Sequence, residues 1–534
     1  MNYIELFSGC GGLALGLESS GFELVMANEL SPMAAETYAY NLLNIDLSSL
    51  SRAEKVFWLS SNYDRKNLNK RLRENPQTAT GKSKQHYSDL KDKNLSNAEL
   101  KKSLVVGSIV DLNSLLLDDS RLLSQIKRGF GNSEIDLISG GPPCQSFSMA
   151  GLREKDNHRN ILPWEFAKFV GMVKPKIAIL ENVSGILRAF NDRGKKYYAW
   201  HEVAKAFAKV GYIPLCLHVN AKNAGVAQNR PRFIMIGLRE DVYENFSTYS
   251  KDINLLNALK ISKLFFDEIS KGNSPEIGTI RCFDIDKDRF LFVEGPLKNL
   301  LSHSFGEYVS VKEAIDDLRN FDDIQSEYVK KINKEIYNPY SLASNSATNH
   351  DFRENGCKVR ARFRLNQVIN NLEPQDASNL KSYIKYSPAS KLDCDLIEKI
   401  SSFWLLNIDG SILKNGSHRQ ISQLVSELRT HKHSQRALKA DQPSPSVLGS
   451  PDDISHYYES KSTQRTLTVR ELARIQSFPD WFQFRSKITT GGQCRKFEVP
   501  QYTQVGNAVP PLLGKALGAV CREILKESRS LSES

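Results

Sequence analysis

The chain opens Met1-Asn-Tyr-Ile-Glu-Leu-Phe7-Ser8-Gly9-Cys10-Gly11-Gly12-Leu13-Ala-Leu-Gly16-Leu17, and the fold class is decided here. Residues 1–7 are a short apolar run of strand type. Residues 8–12 form a glycine-rich turn, and the apolar positions through Leu17 follow a helical spacing. Working outward, residues 24–28 read as a second strand, and Ser31 or Pro32 opens a helix ending near Asn41. Further strands are expected at residues 103–109, 135–139, 176–181, 212–220 and 232–238, with helices at about 161–173 and 200–210. This alternation predicts an α/β fold, an open and mostly parallel sheet with helices on both faces.

Composition narrows the class. The 534 residues are 40% hydrophobic and 25% charged, which excludes a mainly disordered, collagen-like or coiled-coil chain. A core rarely grows beyond about 250–300 residues, so two domains are expected. Lys and Arg number 72 against 61 Asp and Glu, a net charge of +11 that favours a polyanionic partner. No uncharged apolar run reaches the roughly 18–20 residues a bilayer crossing needs. Glu5 comes early with no basic region before it, unlike a secretory signal, so a cytosolic protein is expected. Eight cysteines (10, 144, 216, 282, 357, 394, 494, 521) include no C-x-x-C pair. They read as reduced thiols, most of them buried and inert, with neither a disulfide framework nor a metal site.

Two stretches break the rhythm. Residues 45–102 are polar and lysine-rich, and read as an insertion between the second and third strands, a solvated surface excursion. Residues 241–465 lose the alternation. Within them Lys358-Val-Arg360-Ala-Arg362-Phe-Arg364 alternates at period two, which as a strand would set a basic ribbon over an apolar underside, suited to a duplex backbone. A second basic cluster spans residues 430–439. Helices return at about 468–477 and 511–525.

Four motifs carry candidate chemistry. The turn Phe7-Ser-Gly9-Cys-Gly11-Gly12 lets backbone approach a ligand at a helix N-terminus, and Glu29 closes the next strand where a carboxylate can bond ribose hydroxyls. The spacing is not G-x-G-x-x-G, so NAD is not the favoured ligand. Gly140-Gly141-Pro142-Pro143-Cys144-Gln145 sets a thiol on a rigid turn at a strand's carboxyl edge, where open α/β sheets place their ligands, so Cys144 reads as functional. Glu181 abruptly ends the strand Ile177-Ala-Ile-Leu, a candidate acid or hydrogen-bond partner. Gln228-Asn-Arg230-Pro-Arg232 offers two arginines pointing one way, able to clamp an anion or a pyrimidine carbonyl.

Together with Leu467-Thr-Val-Arg470-Glu471-Leu-Ala-Arg-Ile-Gln-Ser-Phe-Pro-Asp480 and Gln504-Val-Gly506-Asn507-Ala-Val509-Pro510, these six ordered blocks resemble the DNA cytosine-5 methyltransferases along nearly the whole chain. The resemblance implies a Rossmann-like sheet that binds S-adenosylmethionine, with no metal. It implies a catalytic domain over residues 1–240, a target-recognition domain over 241–465 and a return segment, 466–534, completing the first. It places Cys144 as nucleophile, Glu181 on ring nitrogen 3 and the exocyclic amine of a flipped cytosine, Arg232 on the carbonyl oxygen and Arg230 in support, with 145–160 as a lid. Phe7, Gly9, Gly11, Gly12, Glu29, Ser108, Ile109, Pro143, Asn507 and Val509 would surround the cofactor. Ser148, Arg360, Arg362 and Arg364 would meet double-stranded DNA. Ser108 stands where the family usually has Asp, Glu5 where Asp is more usual before Leu-Phe, and Ser446 where Thr is common. The implied protein is a monomeric, cytoplasmic prokaryotic enzyme whose partner in function is a cognate restriction endonuclease. A tRNA methyltransferase of the same fold shares two of the blocks, but the long basic variable region favours duplex DNA.

Overall fold

The computed structural model describes residues 1–50, 54–75, 86–92, 95–143, 161–192, 195–302, 306–319, 324–340, 348–386, 392–432, 434–451, 454–460 and 463–529. Its centre is a nine-stranded sheet. The strands are β1 (Asn2–Leu6), β2 (Glu23–Glu29), β3 (Val56–Trp58), β4 (Ser103–Val106), β5 (Leu137–Gly140), β6 (Ile177–Val183), β7 (Tyr212–Asn220), β8 (Pro231–Arg239) and β9 (Cys282–Asp284). Their spatial order is β9-β7-β8-β6-β5-β1-β2-β4-β3. Every pairing is parallel except those of β8, which runs antiparallel to both β6 and β7. The sheet is mostly parallel with helices packed around it, as the alternation predicts, and β1 and β5 read as near-continuous buried runs because both faces are covered.

The helices used below are α1 (Gly12–Ser19), α2 (Pro32–Leu43), α3 (Ile109–Asp118), α4 (Leu162–Val173), α5 (Ala199–Lys209), α6 (Ile253–Ser270), α7 (Cys357–Asn370), α8 (Pro374–Tyr386), α9 (Val469–Ile475), α10 (Gln501–Asn507) and α11 (Pro511–Glu527). The expected helices at 161–173, 200–210, 468–477 and 511–525 are thus present as α4, α5, α9 and α11. None of the described helices is long and apolar enough to cross a membrane.

The C-terminal helix α11 packs back onto α1, close enough to need glycine on both sides. A Cβ on Gly16 would lie 2.3 Å from the Lys515 nitrogen, and one on Gly514 would lie 3.0 Å from the Leu13 carbonyl oxygen. Before it, α9 is held by buried ion pairs. Thr468 caps the helix and exchanges hydrogen bonds with Glu471, whose carboxylate accepts two from Arg465 at 2.7 and 2.8 Å. Arg474 binds Asp480 through two nitrogens at 2.8 and 3.0 Å, and Asp317 at 2.5 Å.

Three expectations are corrected. The insertion is not simply a solvated excursion: it supplies the edge strand β3, whose Val56, Phe57 and Trp58 are buried. An internal ion pair, Arg71 with Asp89 at 2.8 Å, lies under it, and Asp89 also accepts the Trp58 N–H. The lysine excess masked these few apolar positions. Second, residues 357–370 are helix α7, so Arg360, Arg362 and Arg364 form no ribbon. Arg, Lys and Ala are strong helix formers, and Ala361, Leu365, Val368 and Ile369 recur at helical spacing, which outweighs the shorter period-two pattern. Arg364 is wholly buried, stacked 4.1 Å from the Trp404 ring and paired with Glu459 at 2.9 Å, so it faces no duplex. Arg362 donates its Nε–H to the Leu428 carbonyl. Third, of the described cysteines only Cys10, Cys216 and Cys521 are buried, whereas Cys357 and Cys394 are exposed. Burial pushes the Cys10, Cys216 and Cys521 thiols up, away from thiolate character.

The hydrophobic cores also divide differently from the boundaries read in sequence. Residues such as Val242, Phe266, Leu297 and Ile332 join the main core with the sheet. A second core comprises only side chains between residues 361 and 428.

Two outcomes test this packing. Gly16→Ala should destabilise the protein by about 1–3 kcal/mol through overpacking. The same change at an exposed helix position stabilises by about 1 kcal/mol. Denaturant unfolding reads the sign. For Glu471, burial acts to raise the carboxyl, but the Arg465 hydrogen bonds and charge outweigh it and hold the pKa down at about 2. Its stabilisation is therefore complete above the unfolded value near 4.3 and is lost as pH falls toward about 2. The stability gap between wild type and Glu471→Gln should shrink across that window, and a constant gap would contradict it.

Candidate active site

The carboxyl ends of β1, β2 and β4 are tied into one surface by two side chains. Glu29, at the end of β2, accepts the Gly9 N–H through Oε2 and the Ser31 N–H through Oε1, each at 2.8 Å. Asn28 beside it donates to the carbonyls of Val105 and Gly107, both at 3.0 Å. The loops after β1, β2 and β4 are thereby fixed relative to one another. Phe7, Gly9 and Gly11 have φ of 55°, 55° and 96°. A phenylalanine in that left-handed region is strained, a state that persists only where surroundings enforce it. Here the Ser8 N–H is bonded to the Asn28 carbonyl and the Phe7 ring stacks on Phe166 with centroids 6.5 Å apart.

The expected cofactor residues gather on this surface. A Cβ on Gly9 would meet nothing within 4 Å, so open space adjoins the turn. On Gly12 it would lie 2.3 Å from the Val509 carbonyl oxygen and 3.1 Å from the Phe478 ring, which places the return segment directly against the turn. Ser108 caps α3, its Oγ accepting the Val110 N–H at 3.2 Å, and Ile109 is buried in the first turn. Pro143 is exposed past the end of β5, Asn507 is exposed at the end of α10, and Val509 is buried. Burial raises the Glu29 carboxyl above its ordinary value, opposed by the backbone N–H donors. Each of its oxygens keeps acceptor capacity beyond the bond it makes.

A second constellation lies where β8 reverses direction. The β7–β8 connection turns at the carboxyl edge of the sheet, so β8 starts beside the end of β6. In register Arg232 faces Val183 and Ile234 faces Glu181, which leaves Arg232 and Glu181 diagonal on one face. Their side chains meet, Arg232 Nε to Glu181 Oε1 at 2.6 Å, both largely shielded from water. Asn182 donates to the Pro142 carbonyl at 3.0 Å, fixing the turn that leads from β5 toward residue 144. Cys144, Ser148 and the whole of residues 144–160 lie outside the described residues.

Arg230 does not join that pair. Its buried guanidinium donates to the carbonyls of Gly506 and Ala508, at 2.8 and 3.1 Å, and of Val447, at 3.2 Å. Residues 444–445 pair with 228–229, and the Ser446 hydroxyl donates to the Asn229 carbonyl at 3.0 Å. Arg230 is thus the tie between residues 228–232, residues 444–447 and residues 506–508.

Sequence reasoning missed several such ties. Asn28 lies in an expected strand, and Gln228 in a quoted motif, without a role of its own. Gln504 is buried, its side chain accepting from Thr37 Oγ1 at 2.7 Å and donating to the Val499 carbonyl at 3.0 Å. Phe478 sits in the quoted block beside Gly12. Their only sequence signal is membership of a block, because partners hundreds of residues away leave no local pattern.

With this geometry in view, similarity to known proteins becomes informative. Residues 1–98 and 116–523 match the model of the C-5 cytosine-specific DNA methylase family. The chain belongs to that family. It is accordingly a DNA (cytosine-5-)-methyltransferase. The type II methyltransferase M.DdeI of Desulfomicrobium norvegicum is 24% identical over 97% of this chain and 87% of its own length. The type II methyltransferase M.Bpa9945I of Bacillus paralicheniformis is 25% identical over 98% of this chain and 99% of its own. Among solved structures, that of S. pombe Dnmt2 methyltransferase aligns over 98% of both chains at 14% identity, with a TM-score of 0.37.

Breaking the Arg230 tie leaves buried carbonyls without donors, at about 1–3 kcal/mol each. Arg230→Lys should therefore destabilise the protein despite keeping the charge, since one ammonium lacks the planar fork. Hydrogen exchange should quicken at residues 444–449 and 504–509 before the rest of the sheet. Unchanged protection there would remove Arg230 from this role.

Proposed function

We propose that this enzyme transfers a methyl group from S-adenosylmethionine to carbon 5 of one cytosine in a specific duplex sequence, with the base flipped out and Cys144 adding to carbon 6. The observation that carries the reading is the Glu181–Arg232 pair at 2.6 Å, set at the ends of β6 and β8 beside the turn that precedes Cys144. A carboxylate and a guanidinium so placed match the amine-and-nitrogen edge and the carbonyl of a cytosine.

The residues divide the work as follows. The Cys144 thiolate adds to carbon 6, forming a carbon–sulfur bond and making carbon 5 nucleophilic. Glu181 accepts from the exocyclic amine and bonds ring nitrogen 3 through a proton shared between them, stabilising charge that develops on the ring. Arg232 binds the carbonyl oxygen and keeps Glu181 oriented. Carbon 5 takes the methyl group as that group's bond to the donor sulfur breaks, and loss of the carbon 5 proton to solvent then expels the thiolate and restores the ring.

The methyl donor fits the chain's own groups. The Glu29 carboxylate has acceptor capacity for ribose hydroxyls, and the turn at residues 7–12 borders open space at Gly9. When bound, S-adenosylmethionine supplies an electrophilic methyl group. Phe7, Gly11, Gly12, Ser108, Ile109, Pro143, Asn507 and Val509 would border it. Ser108 keeps acceptor capacity for the adenine amine although its hydroxyl already caps α3. We read residues 241–465 as the region that recognises the target sequence. The names of the relatives support a place in a type II restriction-modification system, in which methylation protects DNA from a cognate endonuclease.

Incubation with labelled S-adenosylmethionine and duplex DNA, followed by bisulfite mapping, should find methylation at one cytosine of a short recurring sequence. Cys144→Ala should abolish transfer while DNA binding remains, and turnover by that variant would overturn the nucleophile assignment. Glu181→Gln should lower kcat by about 10²–10³-fold, the usual effect of removing one charge-stabilising group.

A further inference from the structure

The insertion over residues 45–102 reaches the rim of the sheet at two points that the mechanism above does not use. Its strand β3 runs parallel to β4, with Trp58 facing Val106. The next residue, Leu59, is buried and stands directly on Gly107, where an added Cβ would lie 2.7 Å from that of Leu59. Gly107 precedes Ser108, and its N–H bonds the Glu29 carbonyl at 2.9 Å. The second point is a small cleft lined by Ser31 and Met33 together with Leu72 and Glu74. Ser31 follows β2, and its N–H is bonded to the Glu29 carboxylate. In the sheet, β4 lies between β3 and β2. A segment that meets both the residue after β4 and the residues after β2 therefore crosses the carboxyl end of β4.

We propose that this insertion walls the adenosine end of the S-adenosylmethionine site, with the turn at residues 59–62 beside the adenine and Glu74 as the positioning residue that holds it. The inference rests on the reading of the chain as an S-adenosylmethionine-dependent methyltransferase and adds a binding element to it. That reading sets Glu29 on the ribose and Ser108 at the adenine, and the insertion adjoins the chain beside each. Ser108 is a neutral acceptor whose hydroxyl already caps α3. A wall that excludes water strengthens whatever bond it makes, because hydrogen bonds gain in a low-dielectric surround.

The insertion is braced to keep that position. Buried Arg71 donates to both oxygens of Asp89, at 2.8 and 3.1 Å, and its Nε–H to the Tyr63 carbonyl at 3.0 Å. The Glu74 carboxylate accepts the Asn62 N–H at 3.1 Å, which joins the turn after β3 to the segment in the cleft. Within that turn Ser60 has a φ of 53°, and its N–H is held by the Ser88 hydroxyl at 3.0 Å. Serine seldom takes this left-handed backbone, so the surroundings enforce the turn. Val56, Phe57, Trp58, Leu59 and Leu68 belong to the main core with the sheet. A solvated excursion would need none of these ties.

Hydrogen exchange on the wild-type protein, with and without S-adenosylhomocysteine, tests this without turnover. Saturation should slow exchange at residues 59–63 and 72–74 together with the turn at residues 7–12. Adenosine alone should protect the insertion, whereas methionine should not. Calorimetric titration then compares variants. Glu74→Ala should weaken S-adenosylhomocysteine binding about ten-fold, the effect of losing one hydrogen-bonded tie. Its affinity for duplex DNA should not change, and the KM for the methyl donor should rise with kcat little altered. Glu74→Gln keeps an acceptor for the Asn62 N–H and should restore most of the affinity. Protection confined to residues 7–12, or a Glu74→Ala variant with wild-type affinity, would overturn the wall while sparing the enzyme reading. A wild-type protein that binds no S-adenosylhomocysteine and protects neither segment would overturn both.

Discussion

One buried guanidinium holds together the parts that make a site. Arg230 reaches carbonyls of Val447, Gly506 and Ala508, so segments more than 200 residues apart converge on a single planar group. A buried cation is costly to desolvate, and the carbonyl acceptors at both terminal nitrogens offset part of that. The carbonyls are backbone groups, fixed in place by helices and strand pairing. Arg230 therefore enforces a specific path for each segment, which a hydrophobic contact would not do.

The site's other requirement is the reversed strand. With β8 parallel to its neighbours, its first residues would lie at the opposite edge of the sheet from the end of β6. The β7–β8 turn instead delivers Arg232 to Glu181 at the carboxyl edge, where the β1, β2 and β4 loops also end. The Glu181–Arg232 pair and the glycine-rich turn thus share one rim. The α1–α11 crossing then brings Val509 against Gly12, and closes that rim with the last part of the chain.

Much of this was legible in sequence, for physical reasons. Strands β1, β2, β4, β5, β6, β7 and β8 were expected because buried parallel strands are dense in branched apolar residues and end at glycine, proline or charge. Glu181 and Arg232 were expected because charged groups abruptly bound such runs. Helix α7 was misread because four basic residues at alternate positions mimic a strand face, while the apolar residues of helical spacing extend beyond the short window. Strand β3 was missed because three apolar residues within a lysine-rich stretch carry little periodicity. The function of Arg230 was seen only as support for Arg232, since carbonyls from residues 447 to 508 leave no trace beside it.

The two cores differ in how they meet the Glu181–Arg232 pair. Residues 444–447 reach the segment that carries Arg230 and Arg232 through strand pairing at 444–445, the Ser446 hydroxyl and the Val447 backbone. Most are backbone-mediated, so they constrain few side chains. The side chains between residues 361 and 428 pack on their own core instead. Residues 242–336, by contrast, are packed on the sheet with the catalytic elements, and Arg474 binds Asp317 across that contact. That half of the interval is structurally part of the catalytic body.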